Sequence, residues 1–152
     1  MRLSNLSQLS GQVFMLPNYK QLKLLDLRNN RLQDLPGEIC TLSLLSTLKV
    51  DYNYLVALPF SLGNLQELVC LSASQNRLIE LPDSLFRHDS KLHTLLVNDN
   101  KITRIQRSLG GLKHLRQLYL HSNSIVELTT SFCQLTKIQE FSLDWLAYIE
   151  KT

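Results

Sequence analysis

The sequence lacks the features of membrane-spanning, secreted and nucleic-acid-binding proteins. No stretch approaches the roughly eighteen apolar residues that a membrane span needs, and the first residues contain no apolar block of signal-peptide length. The net charge of +3 is spread over 152 residues without a run of like charges, so the sequence shows no polybasic footprint for nucleic acid or a membrane surface. We therefore expect a cytoplasmic protein that neither inserts into a membrane nor binds nucleic acid.

Glycine is also scarce, and its positions exclude one common chemistry. A phosphate-binding loop needs closely spaced glycines between a strand and a helix, and the sequence has no such motif. The five glycines are Gly11, Gly37, Gly63, Gly110 and Gly111. We expect no nucleotide and no other cofactor.

What the sequence does contain is an internal repeat of 23 or 24 residues. An asparagine between leucines recurs at Asn30, Asn53, Asn76, Asn100 and Asn123. Each of the five windows follows the pattern L-x-x-L-x-[L/V/A]-x-x-N-x-[L/I]-x-x-[L/I]. Fixed periods of this length are typical of stacked repeat architectures, so the chain is one small unit repeated five times.

Each unit predicts a short strand followed by a turn and a return segment. Apolar and polar residues alternate with period two around Leu25 and Leu27, which indicates a strand with one buried face. Equivalent strands must then stack in parallel. The chain leaves the strand at the asparagine, passes the Leu35-Pro36 segment and returns through a loosely helical or extended stretch at 38–44.

The segment from Leu22 to Pro36 and its four echoes resemble the leucine-rich repeat family. The Leu-Pro pairs at positions 35–36, 58–59 and 81–82 are similar to those in the 23-residue repeats of intracellular Ras-pathway and cell-polarity scaffold proteins. The resemblance implies an α/β leucine-rich repeat solenoid, a horseshoe segment with a parallel sheet on its concave face and short helical or extended segments on its convex face.

The whole chain, 1–152, is predicted to form a single domain. A partial repeat or cap spans 1–21, and a C-terminal partial repeat or cap spans 138–152. The complete repeats span 22–44, 45–67, 68–91, 92–114 and 115–137. In the 24-residue repeat Asp89 stands where other repeats have leucine, and we expect a loop bulge there with Phe86 refilling the core. Trp145 either caps the last layer or is an exposed binding anchor.

The recurring asparagines are predicted to form a structural ladder. A chain that leaves a strand carries backbone N–H and C=O groups away from water, and a buried amide side chain offers two donors and an acceptor to satisfy them. The members are Asn30, Asn53, Asn76, Asn100 and Asn123.

Metal binding and catalysis are not expected. The four histidines fall at unrelated positions of the repeat, so their rings should point to different surfaces and no metal site is predicted. They are His88, His93, His114 and His121. Cys40 and Cys133 lie four repeats apart, roughly 19 Å at about 4.8 Å per strand, which is too far for a disulfide. We therefore expect no catalytic residues and no enzyme activity.

The outward strand positions define a candidate surface for a protein partner. Leu96 and Tyr119 are neighbours in one column, and an outward leucine beside an outward tyrosine favours binding over simple solvation. The predicted partner-binding residues are Tyr52, Tyr54, Leu96, Asn98, Tyr119, His121, Trp145, Arg31 and Arg77. In the first two strands, Asp26 beside Lys49 and Arg28 beside Asp51 are expected to pair across strands.

The sequence thus predicts a monomeric, non-enzymatic protein-interaction module. It would be a cytosolic scaffold or adaptor that binds a protein on its concave face, in signalling if the resemblance extends that far. The alternative is a structural subunit of a larger cytoskeletal or axonemal assembly, in which the edges and ends of the solenoid dock.

Overall fold

A computed structural model describes residue 1, residues 3–144 and, by backbone alone, residues 148–149. The predicted fold is confirmed, because six three-residue strands pair in parallel in the order of the sequence. These strands are β1 (Leu24–Asp26), β2 (Thr47–Lys49), β3 (Cys70–Ser72), β4 (Thr94–Leu96), β5 (Gln117–Tyr119) and β7 (Glu140–Ser142). This sheet forms the concave face of the solenoid.

The register of the sheet follows the repeat directly. Leu25 pairs with Leu48, Leu48 with Leu71, and Leu71 with Leu95. Because these equivalent leucines are 23 or 24 residues apart, each strand places its central side chain in the same inward position. All four leucines are fully buried. The leucine spacing in the sequence therefore sets both the register and the core.

Over the residues that the structure describes, the convex face consists of short 3-10 helices and not of α-helices. Those that return each repeat span Gly37–Thr41, Phe60–Asn64, Asp83–Phe86, Arg107–Gly111 and Thr130–Gln134, and two more lie at Gly11–Met15 and Pro17–Tyr19. Pro36, Pro59 and Pro82 are the extended residues directly before the first three returning helices, where the fixed φ of proline suits the backbone. In the described part of the chain no helix is long and apolar enough to cross a membrane.

The extra residue of the 24-residue repeat is absorbed on the convex side. Phe86 is 3% exposed and contributes to the core, as predicted. Asp89 stays at the surface, where its carboxylate accepts hydrogen bonds from the guanidinium of Arg87 at 3.0 and 3.1 Å. A leucine position is thus replaced by an exposed ion pair without opening the core.

Both ends of the solenoid carry additional backbone pairing. Met1 and Leu3 bond to β1: the Asp26 N–H donates to Met1 O at 2.7 Å, and the Leu3 N–H donates to Asp26 O at 3.0 Å. At the other end, β6 (Glu127–Leu128) pairs in parallel with β8 (Tyr148–Ile149). The sequence did not predict this second sheet. Trp145, for which two roles were left open, lies outside the described residues.

A residue with a left-handed backbone lies three positions after the end of each of the strands β1 to β5. The residue before each ladder asparagine, and Asn5 at the equivalent place in the first segment, has φ between 54° and 60°. These residues are Asn5, Asn29, Tyr52, Gln75, Asp99 and Ser122. Asparagine and aspartate tolerate this conformation better than other non-glycine residues, for which it costs about 1–2 kcal/mol.

We expect Gln75→Gly to raise the free energy of unfolding by about 0.5 kcal/mol. Glycine relieves the left-handed strain, and this gain exceeds the entropic cost of a more flexible unfolded chain. The Gln75 side chain is exposed, so little packing is lost. Gln33→Gly is the matched control, because Gln33 is also exposed but has negative φ, and it should destabilise by about 0.5–1 kcal/mol. Urea unfolding measures both; equal losses would contradict the strain argument.

Candidate functional site

The ladder asparagines connect each repeat to the one before it. Asn76 Oδ1 accepts the Leu55 N–H at 3.0 Å, and Asn76 Nδ2 donates to Val50 O at 3.0 Å and to Ala73 O at 3.1 Å. Leu55 and Val50 belong to the preceding repeat. The same backward contacts are made by Asn30, Asn53, Asn100 and Asn123.

Carbonyl groups along this ladder are shared between consecutive amides. Val50 O accepts from both Asn53 and Asn76, and Ala73 O accepts from both Asn76 and Asn100. Asn53 and Asn76 are at most 9% exposed. The ladder therefore provides hydrogen-bond partners for the backbone groups where the chain leaves the sheet. Its side-chain amides are used in these internal bonds and do not form a surface for a partner.

In the N-terminal half of the sheet face, the polar side chains form hydrogen bonds and ion pairs with one another. The Arg28 guanidinium donates to both oxygens of the Asp26 carboxylate at 2.9 and 2.8 Å. The bond to Asp26 raises the pKa of Arg28 most, and the charge of Asp51 on the neighbouring strand raises it as well, so the expected influence of Asp51 on Arg28 acts through charge and not through a direct bond. Residues 26 and 28 point to the same side of one extended segment, so the arginine reaches its own strand's carboxylate with ideal fork geometry.

Asp51 is instead turned toward the next repeat. Its Oδ1 accepts a hydrogen bond from Ser72 Oγ and another from the Ser74 N–H at 3.0 Å. Asp51, Ser72 and Ser74 are all buried. Asp26 does lie opposite Lys49 in the register, but no ion pair joins them within 4 Å. This half of the sheet presents a self-satisfied polar surface.

The C-terminal half of the sheet face brings four of the predicted residues together. Leu96 of β4 pairs in register with Tyr119 of β5. The rings of Tyr119 and His121 are 6.1 Å apart between centroids, and Asn98 lies in the same column as His121. All four side chains are half-buried. We call Leu96, Asn98, Tyr119 and His121 the β4–β5 patch.

Hydrogen bonds hold the polar members of this patch in place. Tyr119 OH donates to the Glu140 carboxylate at 2.7 Å, and His121 Nδ1 lies 2.6 Å from Ser142 Oγ. Asn98 Oδ1 accepts from Ser74 Oγ at 2.6 Å. The hydrogen bond to Glu140 raises the pKa of the Tyr119 phenol, and the same bond lowers the pKa of the Glu140 carboxyl. The tyrosine is therefore preorganised, with its ring beside Leu96.

We expect Glu140→Gln to lower the pKa of Tyr119. The phenol loses an anionic acceptor that favours its protonated form, so its pKa should return toward the ordinary value near 10. NMR titration of Tyr119 with a 13C label at Cζ measures the change, and Glu67→Gln, which removes an exposed carboxylate paired with Lys91, is the control. An unchanged Tyr119 titration would show that the hydrogen bond does not persist in solution.

The remaining predicted residues form a separate group beyond the ladder. Arg31, Tyr54 and Arg77 directly follow ladder asparagines, and the Arg77 guanidinium lies 4.6 Å from the centroid of the Tyr54 ring. Arg31 and Tyr54 also line a surface cavity of about 360 Å³. Tyr52 occupies the left-handed position before Asn53. The structure thus divides the predicted site into the β4–β5 patch on the sheet and an edge group beside it.

Two histidines lie closer together than the sequence suggested. The rings of His93 and His114 are stacked with centroids 6.0 Å apart, so the expectation that every histidine faces a different surface is wrong for this pair. His93 and His114 occupy different positions of the repeat, but side chains at different repeat positions can still contact each other when those positions are neighbours on the surface. Over the residues that the structure describes, no three His, Cys, Asp or Glu side chains are grouped closely enough to hold a metal ion.

The three cysteines are free thiols. Cys40, Cys70 and Cys133 form no disulfide. Cys70 is the one on the sheet face, in β3, and burial raises the pKa of its thiol, with the positive charge of Lys49 opposing the shift. A raised pKa keeps the sulfur protonated, and a protonated thiol is a poor nucleophile.

Comparison with known proteins agrees with the parallel repeat architecture. A family model described as a leucine-rich repeat region matches residues 2–150. The chain belongs to the leucine-rich repeat family. Leucine-rich repeat proteins are typically non-enzymatic protein-interaction modules. No match was found among curated proteins.

Solved structures of leucine-rich repeat proteins resemble the chain closely in fold. The leucine-rich repeat domain of the type III effector XopL is 26% identical with a TM-score of 0.82, over 93% of this chain and 50% of that one. Internalin C2 (inlC2) from Listeria monocytogenes is 27% identical with a TM-score of 0.70, over 82% and 52%. An internalin (inlF) from the same organism is 23% identical with a TM-score of 0.68, over 86% and 37%. The chain therefore spans about half or less of each of these proteins.

Proposed function

We propose that this protein is a cytosolic scaffold or adaptor that holds a protein partner on its concave sheet face, at the β4–β5 patch. The observation that carries the proposal is the in-register placement of Leu96 beside Tyr119 on adjacent strands. Apolar and aromatic side chains on a sheet face, with a tyrosine already fixed by Glu140, provide the anchors that protein interfaces favour. By contrast, the N-terminal half of the face offers mainly polar groups that are already paired.

The charges around the patch favour a partner with basic side chains. Three carboxylates surround it: Asp99 accepts from Asn98 Nδ2 at 2.6 Å, Glu140 accepts from Tyr119, and Asp144 accepts from the Ser122 N–H. Within residues 3–144 none of the three forms an ion pair. The patch is thus locally acidic in a chain whose net charge is +3, and complementary charge would guide the approach of a basic surface.

The geometry supports binding in preference to catalysis. A hydrolytic or transfer site needs a nucleophile, a base and an orienting group that converge on one point. On the sheet face His121 Nδ1 contacts Ser142 Oγ, but among the described residues no acidic side chain bonds the other ring nitrogen of His121 to orient it as a base. Burial also keeps the Cys70 thiol protonated. The surface offers contacts and not a reaction centre.

The test is partner capture with the double variant Leu96→Ala/Tyr119→Ala. Immobilised wild-type and variant proteins are exposed to extract from the native source, and retained proteins are quantified by mass spectrometry. We expect the variant to retain the partner about tenfold less, because two interface anchors are truncated. Its free energy of unfolding should change by less than about 1 kcal/mol, because both side chains lie on the sheet face and not in the core.

Met15→Ala/Leu16→Ala is the matched control, since it removes two exposed apolar side chains from the first 3-10 helix and the residue after it. This control should retain the partner as the wild type does. Equal retention by the β4–β5 variant would remove the patch as the binding site. Sedimentation of the native extract separates the rival function: permanent residence of the wild-type protein in a large particle would favour a structural subunit of an assembly.

A further inference from the structure

The edge that follows the ladder asparagines is built of three exposed rows. We call it the edge surface, and it comprises the residues one, three and four positions after each asparagine. The first row is basic and contains Arg31, Arg77 and Lys101, with Tyr54 between the two arginines. The middle row contains the apolar residues Val56, Ile79 and Val126, with Gln33 at its start and Thr103 between Ile79 and Val126. The third row contains Asp34, Glu80 and Glu127, with Arg104 as its one cation.

The charges of the two outer rows are not neutralised within the protein. Across the described residues, no acidic or basic side chain of either row forms an ion pair. The rows are three residues apart along an extended backbone, or roughly 10 Å at about 3.3 Å per residue, which is too far for direct pairing. The edge surface therefore presents a positive margin and a negative margin on either side of an apolar strip.

The apolar strip is continuous at its centre. Val56 and Ile79 are 48% and 51% exposed, and the Ile79 N–H donates to Val56 O at 3.3 Å, which places them on neighbouring repeats. A surface cavity of about 320 Å³ is lined by Glu80 of the third row together with Phe60 and Pro82, among others. Phe60 is 73% exposed. Exposed apolar side chains concentrated in this way are typical of interaction sites.

We propose that the edge surface binds an amphipathic α-helix of a partner protein, with its apolar stripe on Val56 and Ile79. Acidic side chains on one flank of the helix face the first row, and basic side chains on the other flank face the third row. This site is distinct from the β4–β5 patch and goes beyond the proposed function.

The spacing of the repeats favours a helix over an extended segment. Neighbouring repeats are about 4.8 Å apart at the strands, and a helix advances about 5.4 Å per turn. A helix lying along the solenoid can therefore offer about one apolar side chain to each repeat across several repeats. The side chains on one face of an extended strand recur about every 6.6 Å, so they fall out of step with the repeats after a single interval.

Two synthetic helical peptides of identical composition test the proposal. Both carry a leucine stripe over about five turns; one has glutamates on one flank and lysines on the other, and the second has both residue types mixed on each flank. We expect the segregated peptide to bind about tenfold more tightly at low salt, with the difference shrinking as salt screens the margins. Fluorescence anisotropy measures both. A mirror arrangement is not a control, because a helix docked in the opposite direction exchanges its flanks.

Variants of the protein locate the binding site. Val56→Ser/Ile79→Ser should weaken the segregated peptide about tenfold or more, whereas Leu96→Ala/Tyr119→Ala should not change its affinity. Asp34→Lys/Glu80→Lys makes both margins basic, so a peptide with glutamates on both flanks should become the tightest binder. This charge reversal leaves the apolar strip intact, and its result does not depend on how well the serine variant folds.

Three outcomes would overturn the proposal. The first is equal affinity for the segregated and mixed peptides, and the second is an affinity that neither the serine variant nor the charge reversal alters. The third is a concentration-dependent dimer in sedimentation velocity that Val56→Ser/Ile79→Ser abolishes, because the occupant would then be a second copy of this chain. Unchanged partner retention by the Leu96→Ala/Tyr119→Ala variant, with the expected peptide binding at the edge surface, would overturn the proposed function alone.

Discussion

Asn76→Ala should lower the free energy of unfolding by about 3 kcal/mol, although it removes only one polar side chain. The Leu55 N–H loses its acceptor, Asn76 Oδ1, and Leu55 is fully buried. A buried unsatisfied donor costs about 1–3 kcal/mol, and the small cavity left by the amide adds to this. The carbonyls of Val50 and Ala73 are less affected, because each keeps a second ladder amide as donor.

Chemical unfolding followed by circular dichroism measures this loss. Asn64→Ala is the matched control: Asn64 ends a 3-10 helix on the convex face and its side chain is exposed, so we expect a change within about 0.5 kcal/mol. If Asn76→Ala proved as mild as Asn64→Ala, the ladder would not be a significant source of stability.

Gly63→Ala should destabilise the protein by about 3 kcal/mol through a clash between neighbouring 3-10 helices. A Cβ on Gly63 would lie 2.5 Å from the carbonyl carbon of Ser84 and closer still to its oxygen. Because Ser84 meets it with backbone atoms, no rotamer change can relieve the contact. The 3-10 helices of two repeats would have to separate, and overpacking of this kind costs about 1–3 kcal/mol or more.

Gly37→Ala provides the control for this prediction. Gly37 begins the equivalent helix one repeat earlier, and the nearest atom to its added Cβ would be Ser61 Oγ at 3.5 Å, an ordinary contact. Neither glycine has positive φ, so alanine suits both backbones, and Gly37→Ala should be neutral or stabilise by about 0.4–1 kcal/mol. Thermal and urea unfolding of the two variants compare them directly, and similar midpoints would contradict the close-approach argument.

The fold could be predicted from the sequence because one short pattern determines every repeat. The leucine spacing fixes which side chain of each strand points inward, and the asparagines mark where each strand ends. Even the irregular 24-residue repeat was predictable, since Phe86 is a large apolar residue at a position where the other repeats have cysteine or glycine. The left-handed residues carried a signal that was not used: Asn5, Asn29 and Asp99 are residue types that favour positive φ.

The candidate surface was harder to predict because exposure depends on neighbours in the next repeat. The sequence correctly predicted that Asp26, Arg28 and Asp51 lie on the sheet face. Which partner each side chain bonds depends on its rotamer, and the repeat position does not determine the rotamer. Likewise, Val56 and Ile79 occupy positions that read as core by hydrophobicity, yet they lie at the exposed edge.

The backward direction of the ladder gives the chain a built-in order of assembly. Each buried N–H that the ladder satisfies donates to an asparagine that lies roughly twenty residues later in the chain, as the Leu55 N–H donates to Asn76 Oδ1. Such an N–H has no acceptor until that asparagine has been synthesised. During translation, the most recently formed repeat therefore always has an unfinished layer facing the ribosome, and each arriving repeat completes the one before it. Removing repeats from the C-terminal side should accordingly lower the free energy of unfolding of the remaining repeats more than removing the same number from the N-terminal side.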